Sequence, residues 1–307
     1  MAKIFIDGSA GTTGLKIYER LSTRKDLELL ILDDNLRKND DARREMLNKA
    51  DVAFLCLPDE AAIEAVKMVE NPNTVIIDTS TAHRVVDGWT YGFPELSGMR
   101  KKIATSKRIA NPGCHASGFI ALIKPLVEKG FLDKDTNLSC FSLTGYSGGG
   151  KKMIAEYEDE NRDLLLDAPR LYALTQNHKH LKEMKKICQL NYNPVFSPIV
   201  APYFSGMEVV VPIFEKQLYG SFDNVKELYK RYYKNGLVKY VDCADEKGFL
   251  SANALSGKDN MQITVVGHEE RMLLIARYDN LGKGASGAAI QNMNIILGVD
   301  ENTGLSL

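Results

Sequence analysis

The stretch Lys3-Ile4-Phe5-Ile6-Asp7-Gly8-Ser9-Ala10-Gly11-Thr12-Thr13-Gly14 decides the fold. A short apolar run meets three glycines spaced Gly8-x-x-Gly11-x-x-Gly14. A helical pattern follows over 12–24, with Leu15, Tyr18 and Leu21, and more loosely Ile17, near helical spacing. Glycines between a strand and a helix let the backbone turn sharply and approach a pyrophosphate, while the helix N-terminus supplies unpaired N–H groups and positive dipole charge. The spacing is not GxGxxG, so its weight comes from its place after the first strand. A plain βα turn is the competing explanation.

Outward from that loop, the chain alternates. Strands are predicted at 27–32, 52–57 and 74–78, and helices at 40–49 and 61–70, the latter with Ile63, Val66 and Val69 on one stripe. Continuous apolar strands between helices predict a parallel sheet covered on both faces, joined by right-handed crossovers: a Rossmann-type domain. Past Cys114 the pattern changes. A helix is expected over 115–129, stopped by Gly130 and kinked or interrupted by Pro125. The runs 207–211, 262–266 and 272–276 alternate polar with apolar, which predicts a mixed or antiparallel sheet with one exposed face. Helices at 224–233 and 287–297 complete an α/β chain whose second part is α+β.

Composition narrows the function. A chain of 307 residues has room for two domains, and a net charge of -1 makes no electrostatic case for nucleic acid or a membrane surface. No apolar run reaches the ~18–20 residues of a membrane span, and the first residues run directly into a strand, so no secretory signal is expected. The five cysteines (56, 114, 140, 188 and 243) are scattered without a CxxC pair. That argues against a disulfide framework or structural zinc and for a reducing cytoplasm, with no metal site.

One cysteine stands out. In Asn111-Pro112-Gly113-Cys114-His115 it follows a Pro-Gly turn and opens a helix, where backbone N–H groups lower a thiol pKa and stabilise an oxyanion. The competing explanation is a buried inert thiol. Cys56 reads as core, and Cys140, Cys188 and Cys243 as structural. His115 points away from its neighbour on a helix and is a poor base. His178-x-His180-x-x-Glu183 offers imidazoles for proton work, against a plain basic loop or a weak metal pattern. Arg84, in the turn after the strand at 74–78, suits a phosphate or carboxylate, against a surface arginine. Thr144-Gly145-Tyr146-Ser147-Gly148-Gly149-Gly150-Lys151-Lys152 lacks Walker spacing and reads as an anion cradle or a flexible hinge. The segment 279–287 is rich in small residues that permit close approach to a ligand or a second helix. Asp33 lies where an acid would bind the ribose of NAD, whereas Thr12, Thr13, Arg37 and Lys38 would hold a 2′-phosphate, and a solvated Asp33-Asp34 turn is equally consistent.

Taken in order, Ile6–Gly14, Tyr91-Gly92-Phe93-Pro94-Glu95-Leu96, Ala110–Cys114, the HxHxxE spacing and Asp279-Asn280-Leu281 with Lys283-Gly284-Ala285 resemble the N-acetyl-γ-glutamyl-phosphate reductases in their shorter, type-2 form. Lys182 stands where the longer form has proline. The resemblance spans nearly the whole chain. It implies a fold similar to aspartate-semialdehyde dehydrogenase and glyceraldehyde-3-phosphate dehydrogenase, with 1–113 and 286–307 forming the dinucleotide-binding domain and 114–285 the catalytic and oligomerisation domain. It implies NADPH-dependent reduction of N-acetyl-γ-glutamyl phosphate in arginine biosynthesis, with a small acyl phosphate as substrate, by a homodimer or homotetramer. The implied cofactor residues are Gly8, Ser9, Gly11, Thr12, Thr13, Gly14 and Asn280. Cys114 would attack the acyl phosphate and form a thioester, the nicotinamide would give hydride, and His178 would protonate the oxyanion, with His180 the alternative. Arg84, Asn111, Ser147, Gly148, His180 and Glu183 would contact or orient substrate. Rival expectations are a sister reductase of another acyl phosphate such as aspartyl phosphate, a cysteine acyltransferase or hydrolase without nicotinamide, and a nonenzymatic NADPH sensor.

Overall fold

The computed structural model describes residues 1–307 as two compact units. Met1–Pro112 with Ala285–Ser306 form the first, and Gly113–Gly284 with Leu307 the second.

The first unit runs β1 (Ala2–Asp7), α1 (Thr12–Leu21), β2 (Leu27–Leu30), α2 (Asp40–Lys49), β3 (Val52–Leu55), α3 (Asp59–Lys67), β4 (Val75–Asp78), β5 (Thr90–Tyr91), α4 (Met99–Thr105) and β6 (Arg108–Ala110). The six strands form one sheet in the order β2-β1-β3-β4-β6-β5, and every pair is parallel. Successive residues of β1 serve opposite faces, as strand geometry requires. Ile4 and Ile6 pack with Ile17, Leu21, Phe54 and Ile77, whereas Phe5 packs with Leu47, Leu55, Ala62 and Ala65. β1 has β2 on one side and β3 on the other, so the winding reverses there and the crevice at the strands' C-terminal ends opens beside Gly8.

Each of the two helix stripes holds except at one residue: Ile17, Tyr18 and Leu21 of α1 and Val66 and Val69 of α3 pack on the cores, whereas Leu15 and Ile63 are each 41% exposed and α3 turns Ala62 and Ala65 inward beside them. Small side chains let a helix lie close to the sheet, and apolar content alone does not identify the buried face. β2 and β3 stop at Leu30 and Leu55, so Cys56 lies just past its strand, half-buried and packed against the core.

The second unit comprises α5 (Cys114–Glu128), β7 (Ser139–Gly145), α6 (Gly150–Glu158), β8 (Arg170–Leu171), α7 (Leu181–Cys188), β9 (Val195–Ala201), β10 (Met207–Phe214), α8 (Phe222–Tyr232), β11 (Val238–Tyr240), β12 (Met261–His268) and β13 (Arg271–Tyr278). The chain ends through α9 (Gly287–Leu297), whose Ala289, Ile290 and Met293 fill the first unit's core. The seven strands order as β11-β12-β13-β10-β7-β9-β8. β7·β9 and β11·β12 are parallel and the remaining pairs antiparallel. One face, with Met207, Val209, Val211 and Ile213, is buried. The other leaves Phe141, Val195 and Leu273 exposed. No helix is long and apolar enough to cross a membrane.

Pro125 does not interrupt α5, which continues to Glu128. A proline withholds its N–H from the carbonyl four residues back. That carbonyl, on Ala121, accepts the Tyr233 hydroxyl at 2.7 Å instead. The glycine-rich run is not an open loop either. β7 ends at Gly145, a tight turn covers Tyr146–Gly149, and α6 starts at Gly150. A side chain at Gly145 would sit 2.5 Å from the Phe204 carbonyl oxygen, so close backbone approach accounts for that glycine.

Candidate active site

The Gly8–Gly14 turn is shaped by backbone contact. Gly8 has φ +87, and a Cβ there would lie 2.3 Å from the carbonyl oxygen of Cys56. A Cβ on Gly14 would lie 2.4 Å from the Gly8 oxygen. Gly11 is the N-cap of α1 and offers no capping side chain, and the helix has no acid in its first turn. A helix start left open and without negative charge fits a pyrophosphate. Ser9, Thr12 and Thr13 line the same turn, half-buried. Beneath it lies a pair the sequence did not announce. Asp7 is buried and accepts from Arg43 Nη2 at 2.9 Å, while Arg43 Nη1 reaches Asp40 at 3.0 Å. Burial pushes the Asp7 carboxyl up, and Arg43 pulls it back. Asp33 is exposed, as are Arg37 and Lys38, and Arg37 pairs with Asp34 at 2.7 Å.

At the C-terminal end of β4, the buried Asp78 accepts from Ser80 N and Oγ at 2.9 and 2.7 Å. His83 Nδ1 is 2.6 Å from the same carboxylate, and its ring stacks on Trp89. Arg84 Nε donates to the Asn111 carbonyl at 2.9 Å and Nη2 to the Thr79 carbonyl at 3.1 Å. The structure therefore brings Arg84 and Asn111 together, but as a brace. The Asn111 amide is itself occupied, donating to Ala285 O at 3.0 Å and accepting from Asn292 at 3.3 Å. That side chain is 1% exposed, with both ends of its amide bonded within the protein.

Cys114 is the first residue of α5 and is half-buried. Gly113 caps the helix without a side chain, and its own N–H is taken by Glu183 Oε2 at 3.2 Å. Glu183 is 1% exposed, and its other oxygen lies 3.9 Å from His180 Nε2. One carboxylate thus ties the histidine motif to the turn before the cysteine. Ser117 N and Oγ both bond the Gly113 carbonyl. Backbone also packs directly on the cysteine: a Cβ at Gly284 would be 3.1 Å from Cys114 Cβ.

Three imidazoles gather beside this helix start. His178 and His180 are 4.7 Å apart by ring centroid, and His115 lies 5.6 and 5.7 Å from them. His178 is half-buried, and its Nδ1 accepts the His180 backbone N–H at 3.2 Å. That bond places the neutral ring's proton on Nε2. His115 is buried, with Nδ1 2.6 Å from Ser142 Oγ and Nε2 2.7 Å from the Tyr172 hydroxyl. Burial and the charge of His178 hold its pKa down to about 3, so it stays neutral.

Tyr172 and Ser142 were missed in the sequence. Their nearest signal is Tyr172's place in the loop leading to His178. That loop is unusual in backbone as well: Ala173 and Gln176 adopt φ 51 and 56. Left-handed non-glycine residues cost energy and concentrate at functional sites. Gln176 anchors the loop by bonding both N and O of Phe196.

Ser147 and Asn280 come together, with Asn280 Nδ2 donating to Ser147 Oγ at 3.0 Å and Oδ1 accepting from Gly206 N at 2.9 Å. Gly148 lies against them. Both ends of the Asn280 amide thus hold protein loops. Of the remaining cysteines, Cys140 and Cys188 are buried, and Cys243 is exposed rather than structural. The Cys56 thiol is pushed up to about 12 by burial. Cys114 is therefore the half-buried thiol that sits at a helix start.

Comparison with known proteins agrees with this geometry. Residues 31–106 match the model of the semialdehyde dehydrogenase NAD binding domain, and 114–280 match that of the semialdehyde dehydrogenase dimerisation domain. N-acetyl-gamma-glutamyl-phosphate reductase from Brucella ovis is 46% identical over 96% of this chain and 99% of its own. N-acetyl-gamma-glutamyl-phosphate reductase 2 from a Nostoc species is 42% identical over 99% of each. Among solved structures, aspartate semialdehyde dehydrogenase II from Vibrio cholerae, complexed with ASA, has a TM-score of 0.74 at 17% identity, covering 97% of this chain and 98% of that one. Aspartate semialdehyde dehydrogenase with NADP from Candida albicans has a TM-score of 0.66 at 15% identity, covering 97% and 99%.

Proposed function

Because the chain belongs to the N-acetyl-γ-glutamyl-phosphate reductase family, we propose that it reduces N-acetyl-γ-glutamyl phosphate to the 5-semialdehyde with NADPH, releasing phosphate, in arginine biosynthesis. The observation that carries this is Cys114 at the opening of α5, with the His178–His180 pair tied to the same turn through Glu183.

In the proposed chemistry the Cys114 sulfur attacks the acyl carbon, the carbon–oxygen bond to phosphate breaks, and a thioester on Cys114 remains. N–H groups of the first turn of α5 hold the oxyanion. His178 offers its Nε2–H to the same oxygen, the tautomer set by the His180 N–H on Nδ1. NADPH, when bound, would supply the hydride that reduces the thioester carbon. Collapse of the resulting alkoxide expels the Cys114 thiolate and frees the aldehyde, while the departing phosphate carries the proton of the net reaction. Gly8, Ser9, Gly11, Thr12, Thr13 and Gly14 would hold the cofactor's pyrophosphate, at a helix start left open and without negative charge. Glu183 and Arg84 brace the backbone around the site, at Gly113 and Asn111. The exposed apolar sheet face that includes Phe141, Val195 and Leu273 suits a second copy of the chain, giving a dimer working in the cytoplasm.

The test is the reverse reaction: N-acetylglutamate 5-semialdehyde plus phosphate, with NADP or NAD, followed at the nicotinamide absorbance band. Turnover with this aldehyde and NADP, lost in Cys114→Ala, is expected. His178→Asn lowers turnover by about 10²-fold or more, the scale of one lost oxyanion donor. Preference for aspartate semialdehyde, or substantial turnover by Cys114→Ala, overturns the proposal.

A further inference from the structure

The proposed reaction uses the sulfur of Cys114, but the backbone of the same residue is held in an uncommon way. In a regular α-helix the carbonyl of residue i accepts the N–H of residue i+4. In α5 the corresponding pair is the Cys114 carbonyl and the Gly118 N–H. A side chain from β13 reaches both. The Tyr278 hydroxyl donates to the Cys114 carbonyl at 2.5 Å and accepts from the Gly118 N–H at 3.0 Å. Tyr278 is fully buried, and burial pushes its phenol well up, with Cys114 adding to the rise, so the hydroxyl keeps its proton and remains a donor.

The sequence makes room for this. A Cβ at Gly118 would fall 2.7 Å from the Tyr278 hydroxyl and 2.6 Å from a Val209 methyl. Gly118 has no φ that demands glycine, so the close approach is its reason. The other side of the cysteine is also closed, by the Gly284 backbone against Cys114 Cβ.

We propose that Tyr278 is a positioning residue for the nucleophile: its hydroxyl, seated between Cys114 and Gly118, holds the first turn of α5 in the spacing that aims the thiol. This rests on Cys114 being the nucleophile. The hydroxyl touches no reacting atom and acts through the backbone of Cys114. Removing it leaves a carbonyl and an N–H that are each other's ordinary helical partners. The helix survives on that bond alone, while the first turn relaxes and the sulfur moves.

That consequence separates positioning from simple structural support. In Tyr278→Phe, kcat is expected to fall at least about tenfold, the scale of a reacting group displaced by part of an ångström. KM changes little, and the melting temperature stays near that of the parent. The pH profile of Cys114 alkylation by iodoacetamide, read by peptide mass spectrometry, shifts with kcat, whereas lost stability alone leaves the folded protein's profile in place. Unchanged kcat and an unchanged alkylation profile overturn the proposal. Should Tyr278→Phe fail to fold, 3-fluorotyrosine at 278 keeps the ring and hydroxyl while changing its acidity. A kcat that moves with the fluorinated phenol supports positioning, and one that does not refutes it. Cys114→Ser run in parallel keeps the two ideas apart: turnover in that variant sinks the nucleophile assignment, not the role of Tyr278.

Discussion

The Tyr233–Pro125 arrangement predicts a measurable coupling. Tyr233→Phe keeps the ring and removes the donor to the Ala121 carbonyl, in a helix where Ala121 is fully buried and Tyr233 is 2% exposed. A buried carbonyl left without a partner costs about 1–3 kcal/mol. Water does not reach it, and Pro125 has no N–H to offer. In a Pro125→Ala background the same substitution should cost under about 1 kcal/mol, because the introduced alanine supplies the ordinary i, i+4 donor and the tyrosine hydroxyl becomes a second one. The expected coupling is about 1–2 kcal/mol, well above the few tenths by which independent sites deviate from additivity. A chain of two units does not guarantee a single unfolding step, so native-state hydrogen exchange of α5 amides is the assay. The cycle reads protection of 119–128 in the parent, both singles and the double. Equal losses in both backgrounds would refute the claim that the hydroxyl stands in for the missing proline N–H. Turnover in all four proteins should remain close to parental, since the change lies in the second half of α5, away from Cys114.

Two further outcomes follow from buried charges. Burial raises the Glu208 carboxyl to about 7, with Arg277 pulling it down and Glu246 pushing it up. Because the folded value exceeds the ordinary 4.5, the folded state is unpenalised below that pH and loses stability as pH rises to about 7. Glu208→Gln should leave the melting temperature nearly unchanged at acid pH and raise it above neutrality, worth about 1–2 kcal/mol after discounting for partial solvent access. An equal shift at both pH values would be contrary. In the first unit, Arg43→Met strands Asp7 beside the Gly8 turn and should cost about 3–5 kcal/mol while weakening NADPH binding. Asp7→Asn added to it should recover most of the stability, and thermal melts with cofactor titration decide.

The fold's order was legible because buried parallel strands are continuous apolar runs and because glycines mark the first crossover. α2 (Asp40–Lys49) and α9 (Gly287–Leu297) fall where their periodicity placed them. What misled was local chemistry answered from far away. Pro125 reads as a break until Tyr233 supplies the missing donor. The sequence does not show that Ala285 and Asn292 bond the Asn111 amide at both ends. The run of glycines after Thr144 reads as an anion cradle or a flexible hinge, and only the fold shows Phe204 pressing against Gly145. Cys114 and the histidine pair were visible by type and spacing, whereas Tyr172, Ser142 and Tyr278 were not. An isolated tyrosine or serine carries no local pattern, and its role arises only when the sheet brings it under the helix.

That limit has a physical origin in α5 itself. A helix buried all round has no water to satisfy groups its own ladder leaves open. In α5, twelve of fifteen residues are buried. Pro125 leaves the Ala121 carbonyl without its ladder donor, and Tyr233 supplies one; Tyr278 and Tyr229 likewise donate to the carbonyls of Cys114 and Leu122. Each comes from an element more than a hundred positions along the chain. Glu183 adds the acceptor for the Gly113 N–H ahead of the first turn. A surface helix would let solvent fill these places and its end would fray. Here the same burial that makes the helix invisible to local pattern holds its N-terminal end to fixed partners, so that under the proposed chemistry the Cys114 thiol would be placed before substrate arrives and would not have to be assembled at each turnover.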